Sequence, residues 1–169
     1  MVNQPSSDKD FSSIRNVHPS AWFVRRGDDS SAIKTFCEKE KIEFSILKKT
    51  DIMGFPNACE IKLNGNSKKK VLVTGCFDWF HSGHVRFFEE ASEMGDLYVV
   101  VGNDANVRAL KGPNHPMFSQ EERRYIVESI RYVKQALIST GGGWLDAEPE
   151  LRRLKPDIYA VNEDGDRPE

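Results

Sequence analysis

The segment Gly75-Cys76-Phe77-Asp78-Trp79-Phe80-His81-Ser82-Gly83-His84 gathers the side chains of this sequence best suited to chemistry. Two imidazoles three residues apart, with a glycine between them, can both face one ligand. A helix starting here offers unpaired N–H groups and a partial positive charge, which suit a phosphate. Charge builds on the oxygens of a pentavalent phosphorus, so donors already in place stabilise that state more than the ground state. Gly75 lets the chain turn with no side chain in the way, and Gly83 leaves room for a ligand to approach closely. Asp78 can orient one imidazole or cap the turn. Without a ligand, His81 and His84 would be ordinary helix-start residues. Two of the chain's four histidines flanking one glycine, directly after an apolar run, favour the phosphate.

Such a segment needs a strand before it and a helix after it. Val71-Leu72-Val73-Thr74 is β-branched and aliphatic, which predicts a buried strand. Beyond His84 a helix is expected, with Phe87, Phe88, Ala91 and Met94 on one face and Arg86, Glu89, Glu90 and Glu93 mainly on the other. Gly95 ends it, and Leu97 to Val101 is a second buried strand. Strand, helix, strand in so short a space predicts a right-handed unit with parallel strands. A polar loop over 102–116 follows. Ser119-Gln120-Glu121-Glu122 has the form of a capping box, and opens a helix expected to bury Ile126, Val127 and Ile130. Ala136 to Ile138 is a third strand. A short helix with Pro149 in its first turn presents Leu151 and Leu154, and Asp157 to Val161 is a fourth strand. The expected fold is therefore α/β, a Rossmann-like doubly wound parallel sheet with helices on both faces. Its ligands belong at the carboxyl ends of the strands, where the polar loops 75–84, 102–116 and 162–166 gather.

On these motifs the sequence resembles the nucleotidyltransferase superfamily with the His-x-Gly-His signature. The resemblance is to its cytidylyltransferase-like branch, whose motif runs Gly-x-Phe-Asp-x-x-His-x-Gly-His. Val107 to Pro113 is similar to heptose-phosphate adenylyltransferases. Lys111-Gly112-Pro113 with Phe118 to Arg123 is also similar to ethanolamine-phosphate cytidylyltransferases. The resemblance spans about residues 71–166. It implies attack by a substrate phosphate on the α-phosphate of CTP or ATP, with release of pyrophosphate and no covalent enzyme intermediate. It also implies roles for single residues. His81 and His84 contact the triphosphate and stabilise the transition state. Lys111 neutralises phosphate charge, and Arg123 reaches the phosphates or pairs with a neighbouring glutamate. Gly75, Cys76, Phe77, Asp78 and Gly83 lie along the nucleotide. Asp104 and Asp164 stand at strand ends, either on ribose, base or acceptor or as loop caps. Mg²⁺ is implied by the triphosphate rather than by a protein cage, so no protein metal ligands are expected. The acceptor is a phosphorylated alcohol or sugar. An adenylyltransferase of the flavin-nucleotide type and a nucleotide-binding domain that no longer turns over are the alternatives.

The chain has 169 residues, 38% hydrophobic and 30% charged, with a net charge of −2, enough for one domain with an appendage. The near-balance argues against a nucleic-acid or anionic-membrane binder. No apolar run is long enough to span a bilayer, and the polar start lacks the apolar core of a signal peptide. Cys37, Cys59 and Cys76 are widely spaced, which suits reduced thiols and a cytoplasmic location. The sequence allows a homodimer. Charge is unevenly spread: residues 1–70 carry a net of +4 and 71–169 a net of −6. The expected organisation is a disordered tail over 1–16, a partial αβ segment over 17–63, a linker over 64–70 ending in Lys68-Lys69-Lys70, and the core over 71–169. Within 17–63, residues 32–41 are weakly helical and 43–47 strand-like. Phe36 to Leu47 resembles the helix and fifth strand that the family places after its fourth strand, and Pro19 to Asp29 echoes Pro156 to Asp166. The segment is then either the tail of a degenerate upstream copy or a permuted completion, with 44–47 as fifth strand of the main sheet. In both cases Pro56-Asn57-Ala58-Cys59-Glu60 stands where the family's phosphate-gripping Ser-Ser-Thr is expected.

Overall fold

The computed structural model describes residues 21–25, 31–47, 54–57, 61 and 68–162. The expected tail over 1–16, Cys59 and Asp164 lie outside the described residues. Two compact units divide the chain between Gly54 and Phe55.

In the first unit, β1 (Ala21–Arg25), α1 (Ser31–Glu40) and β2 (Glu43–Leu47) follow one another, and β1 pairs with β2 in parallel. α1 buries Phe36 and Cys37. The permuted arrangement needed residues 44–47 in the main sheet. β2 instead takes β1 as its partner in a sheet of two strands. A helical crossover is the connection that parallel neighbours require, and α1 supplies it.

The division at Gly54 and Phe55 lies upstream of the expected linker, because residues beyond it pack on the second unit. The Phe55 ring lies 5.4 Å from that of Tyr125, Arg124 donates to the Pro56 carbonyl at 2.5 Å, and Ile61 packs on an apolar cluster. Lys70 is also no linker residue. It opens the first strand of the second unit, and its ammonium donates to the Leu154 carbonyl at 2.5 Å.

The second unit runs β3 (Lys70–Gly75), α2 (Ser82–Glu93), β4 (Asp96–Val101), α3 (Asp104–Lys111), α4 (Gln120–Glu128), β5 (Val133–Ile138), α5 (Glu148–Leu154) and β6 (Ile158–Tyr159). The four strands are parallel, in the order β5-β4-β3-β6. The chain therefore winds outward from β3 in both directions, as the doubly wound expectation required. Alternate strand residues feed two cores. Val71, Val73, Leu97 and Val99 pack with Phe88 and Ala91 of α2 and Val127 of α4. Leu72, Tyr98, Val100 and Leu137 pack on the other face with Leu154 of α5. Burying both faces of a sheet is what its near-continuous apolar strands imply.

Four local expectations need correction. The stretch 102–116 is not all loop, since α3 occupies 104–111 between an Asn103 cap and Gly112. β6 is two residues long, although ladder bonds from Asp157 N–H to Lys70 and from Ala160 N–H to Leu72 extend its pairing. Met94 is 44% exposed because it caps the end of α2 instead of lying within it. On α4, Ile126 is only half-buried, and Arg123 and Arg124 are buried beside Val127. Ser119 caps α4 by accepting from the Glu122 N–H at 3.3 Å, as its position predicted.

Gly95 joins α2 to β4 where the chain passes β3. A Cβ there would lie 2.1 Å from the Lys69 carbonyl oxygen, which accepts the Asp96 N–H at 2.8 Å. The obstruction is backbone within a strand pair, so it cannot swing away. Gly95→Ala is expected to lower stability by about 2–3 kcal/mol, read as a lower denaturant midpoint with unchanged slope.

Candidate functional site

The site begins where β3 ends. Gly75 is followed by Phe77, whose φ is +51°, a left-handed conformation that costs a residue with a side chain about 1 kcal/mol. The turn folds the Phe77 ring back under Gly75. A Cβ on Gly75 would sit 2.8 Å from that ring, so glycine is required there by the phenylalanine two residues on. The ring is buried and meets Phe88 and His84 edge-on, each at 5.3 Å. Phe80 stacks on His84 from another side at 5.3 Å, with 21° between the planes.

The two histidines cap their own helix. His81 is the N-cap of α2, and its Nδ1 accepts from the Gly83 N–H at 3.1 Å. His84 Nδ1 accepts in turn from the His81 N–H at 3.3 Å. This reciprocal pair does what a Ser and Glu do in an ordinary capping box. The two rings lie 4.0 Å apart. Because each Nδ1 accepts, each neutral ring carries its proton on Nε2 and has that N–H left to donate. Burial, followed by the neighbouring His81, holds the His84 pKa below the ordinary histidine value. Gly83 serves this cap rather than ligand approach, since a Cβ there would lie 2.9 Å from His81 Cε1.

A cavity of about 240 Å³ opens beside these residues. Gly75, Cys76, Phe77, Asp78, His84 and Lys111 line it, as the sequence suggested, as does Asn162 of the expected loop 162–166; Thr74 and Phe87 line it without having been foreseen, and His81 is not part of its lining. Asn162 comes from the loop after β6 and Lys111 from the end of α3, so three strand ends contribute, as a doubly wound sheet requires. The period-two alternation of β3 could have pointed to Thr74, and helical spacing from His84 to Phe87.

Arg123 does not reach the cavity, and no neighbouring glutamate binds it. It is 1% exposed. Its Nε donates to the Phe118 carbonyl at 3.0 Å, Nη1 to that of Cys76 at 2.5 Å, and Nη2 to that of Gly102 at 2.8 Å. Nη2 also meets Asp104 Oδ1 at 2.7 Å. Arg123 is thus a positioning residue, and Asp104, in the first turn of α3, is its partner.

Asp78 orients an imidazole, but that of His115, whose Nδ1 lies 3.2 Å from Asp78 Oδ2. Its carboxylate also accepts the N–H groups of Met117 at 2.8 Å and Phe118 at 3.1 Å. Burial alone would raise its pKa. The Met117 and Phe118 amides, His115 and the charge of Arg123 together bring it below the usual aspartate value. His115 had no distinguishing sequence signal beyond its residue type. Cys76 and Cys37 are free thiols.

A parallel sheet with two imidazoles and a helix N-terminus at its carboxyl end defines an α/β domain of the doubly wound kind. The chain belongs to the cytidylyltransferase-like family, whose model matches residues 72–166. It is 40% identical over 97 residues to the FAD synthase of Ferroglobus placidus, covering 57% of this chain and 60% of that protein. It is 34% identical over 145 residues to the bifunctional protein HldE of Nitratiruptor, covering 82% of this chain and 30% of that protein. The chain thus spans three-fifths of the one and less than a third of the other. Its structure resembles the lipopolysaccharide core biosynthesis protein of Thermoplasma volcanium, with a TM-score of 0.52, 27% identity, and coverage of 60% of this chain and 80% of that one.

Asp78 keeps its charge to lower pH in the folded chain than in the unfolded one. Its stabilising contribution is complete above the ordinary aspartate range, about pH 4. It is lost as pH falls through the lower folded value. Asp78→Asn is therefore expected to cost stability near neutrality and to cost progressively less as pH falls toward about 2. Thermal denaturation across that range checks this, and a penalty independent of pH would contradict it.

Proposed function

We propose that this protein transfers CMP or AMP from CTP or ATP to a phosphorylated alcohol or sugar, releasing pyrophosphate. The observation that carries the reading is the reciprocal histidine cap, which leaves the Nε2–H of each ring to donate, with His84 lining the cavity. An oxygen of the acceptor phosphate attacks the α-phosphorus, and the bond from that phosphorus to the bridging oxygen breaks as pyrophosphate leaves. Neither half needs a nucleophile from the protein, so binding geometry and charge stabilisation supply the rate. His81 and His84 donate to the phosphate oxygens as their charge grows. Lys111 neutralises charge from the end of α3. Gly75, Cys76, Phe77 and Asp78 form the wall, and Arg123 holds the strand ends around it.

Magnesium fits this site as an ion brought in on the triphosphate, which it would screen. Among the described residues no cluster of three His, Cys, Asp or Glu could cage a metal, and phosphate oxygens with water supply most ligands of such an ion. Asp78 is already committed to backbone amides.

A second reading, adenylyl transfer to a flavin phosphate, is favoured by the 40% identity to an FAD synthase. The parallel β1-α1-β2 unit is in keeping with a strand-helix-strand remnant of an upstream copy. The HldE alignment, at 82% of the chain, cannot fit within residues 71–169 alone, so it too reaches residues before Val71.

Pyrophosphate release assayed with CTP and with ATP, over phosphorylated alcohols, sugars and FMN, distinguishes these readings. Nucleotide binding without release from any pair would leave a binding domain. In the active pair, His84→Ala is expected to lower kcat by about 10²–10³ while changing nucleotide Kd by less than about tenfold. A loss confined to Kd would make His84 a binding residue only.

A further inference from the structure

The winding of the main sheet reverses between β3 and β6. β4 and β5 lie on one side of β3, and β6, the last strand in the chain, lies on the other. A switch point of this kind is where a doubly wound sheet opens a crevice for its ligand. Thr74 stands at that place, next to Gly75 at the end of β3, and lines the cavity. Its Oγ1 lies 2.6 Å from the hydroxyl of Tyr159 on β6, so a hydrogen bond between neutral side chains spans the two strands. Register explains the meeting. Tyr159 pairs with Leu72, and Thr74 follows Leu72 by one strand period, so all three side chains share the face that packs on α5. His84 and Phe87 belong to α2, which packs on the opposite face. The cavity therefore straddles the edge of the sheet, with an imidazole on one side and a hydroxyl pair on the other.

We propose that the Thr74 hydroxyl recognises a hydroxyl group of the bound substrate, and that Tyr159 is the positioning residue that holds it there. The inference rests on the nucleotidyl-transfer reading and deepens it, because it gives the site a preference among ligands that carry the same phosphates. A phenol is more acidic than an alcohol, so Tyr159 is the better donor of the two. With Tyr159 donating, Thr74 keeps its own O–H to donate and a lone pair to accept. An alcohol has the same two capacities and matches it. A phosphate oxygen only accepts, and Lys111 and the Nε2–H of His84 suit it better. Asp78, the carboxylate among the described lining residues, is occupied by the Met117 and Phe118 N–H groups. Thr74 and Asn162 are left as the neutral oxygen-bearing side chains of the wall. The hydroxyl they face belongs either to the ribose of the nucleotide or to a polyol or sugar acceptor. Thr74 is half-buried, and a site built to bond a hydroxyl rejects the analogue that lacks it, because its own polar group is then left unpaired.

Calorimetry on the full chain tests the proposal with probes that differ by one hydroxyl. CTP and ATP are compared with their 2′-deoxy and 3′-deoxy forms, and glycerol 3-phosphate with its two deoxy forms. The unchanged protein is expected to bind the hydroxyl-bearing member of a pair about tenfold more tightly. Thr74→Val keeps the shape and the β-branching of the strand residue. It is expected to bind both members equally, at the affinity the unchanged protein has for the deoxy probe. Thr74→Ser, which restores the hydroxyl, should restore most of the preference. Tyr159→Phe should leave the deoxy probe unaffected and cut the preference to about threefold, since Thr74 remains but can turn among its rotamers. A preference lost in the nucleotide pairs assigns the hydroxyl to ribose, and one lost in the glycerol pairs assigns it to the acceptor. Either supports the proposal. Equal binding of every pair by the unchanged protein overturns it and leaves the functional reading intact. So does a Thr74→Val protein that keeps the preference, whether or not both members bind more weakly. No binding of any probe by the unchanged protein overturns that reading and this inference with it.

Discussion

One buried guanidinium holds the carboxyl end of the sheet together. Arg123 binds the carbonyls of Cys76 at the end of β3, Gly102 at the end of β4 and Phe118 before α4, with Asp104 on α3 as counter-charge. A charge this deep is tolerated only when its donors are paired, and each pairing fixes a segment. A lysine could not do the same, because one ammonium cannot present a planar fork to three carbonyls lying in different directions. The two turns that frame the cavity are therefore spaced by one side chain lying behind them. Asp78 acts on the same loop with opposite polarity, taking the Met117 and Phe118 amides while Arg123 takes the Phe118 carbonyl. The loop between α3 and α4 is held at both poles of its peptide groups. Its position relative to β3 thus depends on charged groups that are themselves confined by backbone.

The glycines and aromatics of the motif form a second layer of the same constraint. Phe77 pays a small backbone cost to place its ring under Gly75 and against Phe88, and that ring becomes one wall for His84. Phe80 supplies another. Desolvation then keeps His84 neutral over a wider pH range, which preserves Nδ1 as the acceptor that the helix start needs. Packing, protonation and capping support one another here, and the spacing of Gly75, Phe77, Phe80 and His84 is the sequence record of that agreement.

The fold was legible wherever a periodic apolar pattern met a stop or start signal. Val71 to Thr74, Leu97 to Val101 and the Phe88–Ala91 face of α2 announced themselves in this way. α3 was hidden because its eight residues bury only Asn106 and Val107, too few for a helical period to register. The cavity was legible in its loops and less so in its roles. Gly83 reads as an opening for a ligand until the His81 ring is seen to fill that space. Arg123 reads as a cation that reaches the phosphates or pairs with a neighbouring glutamate, because a charged residue in a helix's first turns is normally solvated. Its burial follows from three carbonyls that converge only after the strands have been placed. Asp78 and His115 are separated by a strand and two helices, so no local pattern could pair them.

The spacing of the two histidines has a physical basis beyond the phosphate they are expected to face. An uncapped helix start would present backbone N–H groups to a ligand directly. In α2 the Gly83 N–H and the His81 N–H are consumed by the two Nδ1 atoms. The Nε2–H groups left to donate therefore lie on the far side of each ring, displaced outward by the width of an imidazole. Each ring polarises as its Nδ1 accepts, so part of the helix's positive end is carried out to Nε2. Residues at the N-cap and N3 are the pair that can cap each other reciprocally, which sets the separation at three. The glycine between them follows, since His81 needs the room above Gly83 to reach back. One local requirement, that a helix satisfy its own first amides through groups that can still donate, accounts for both histidines and the glycine together.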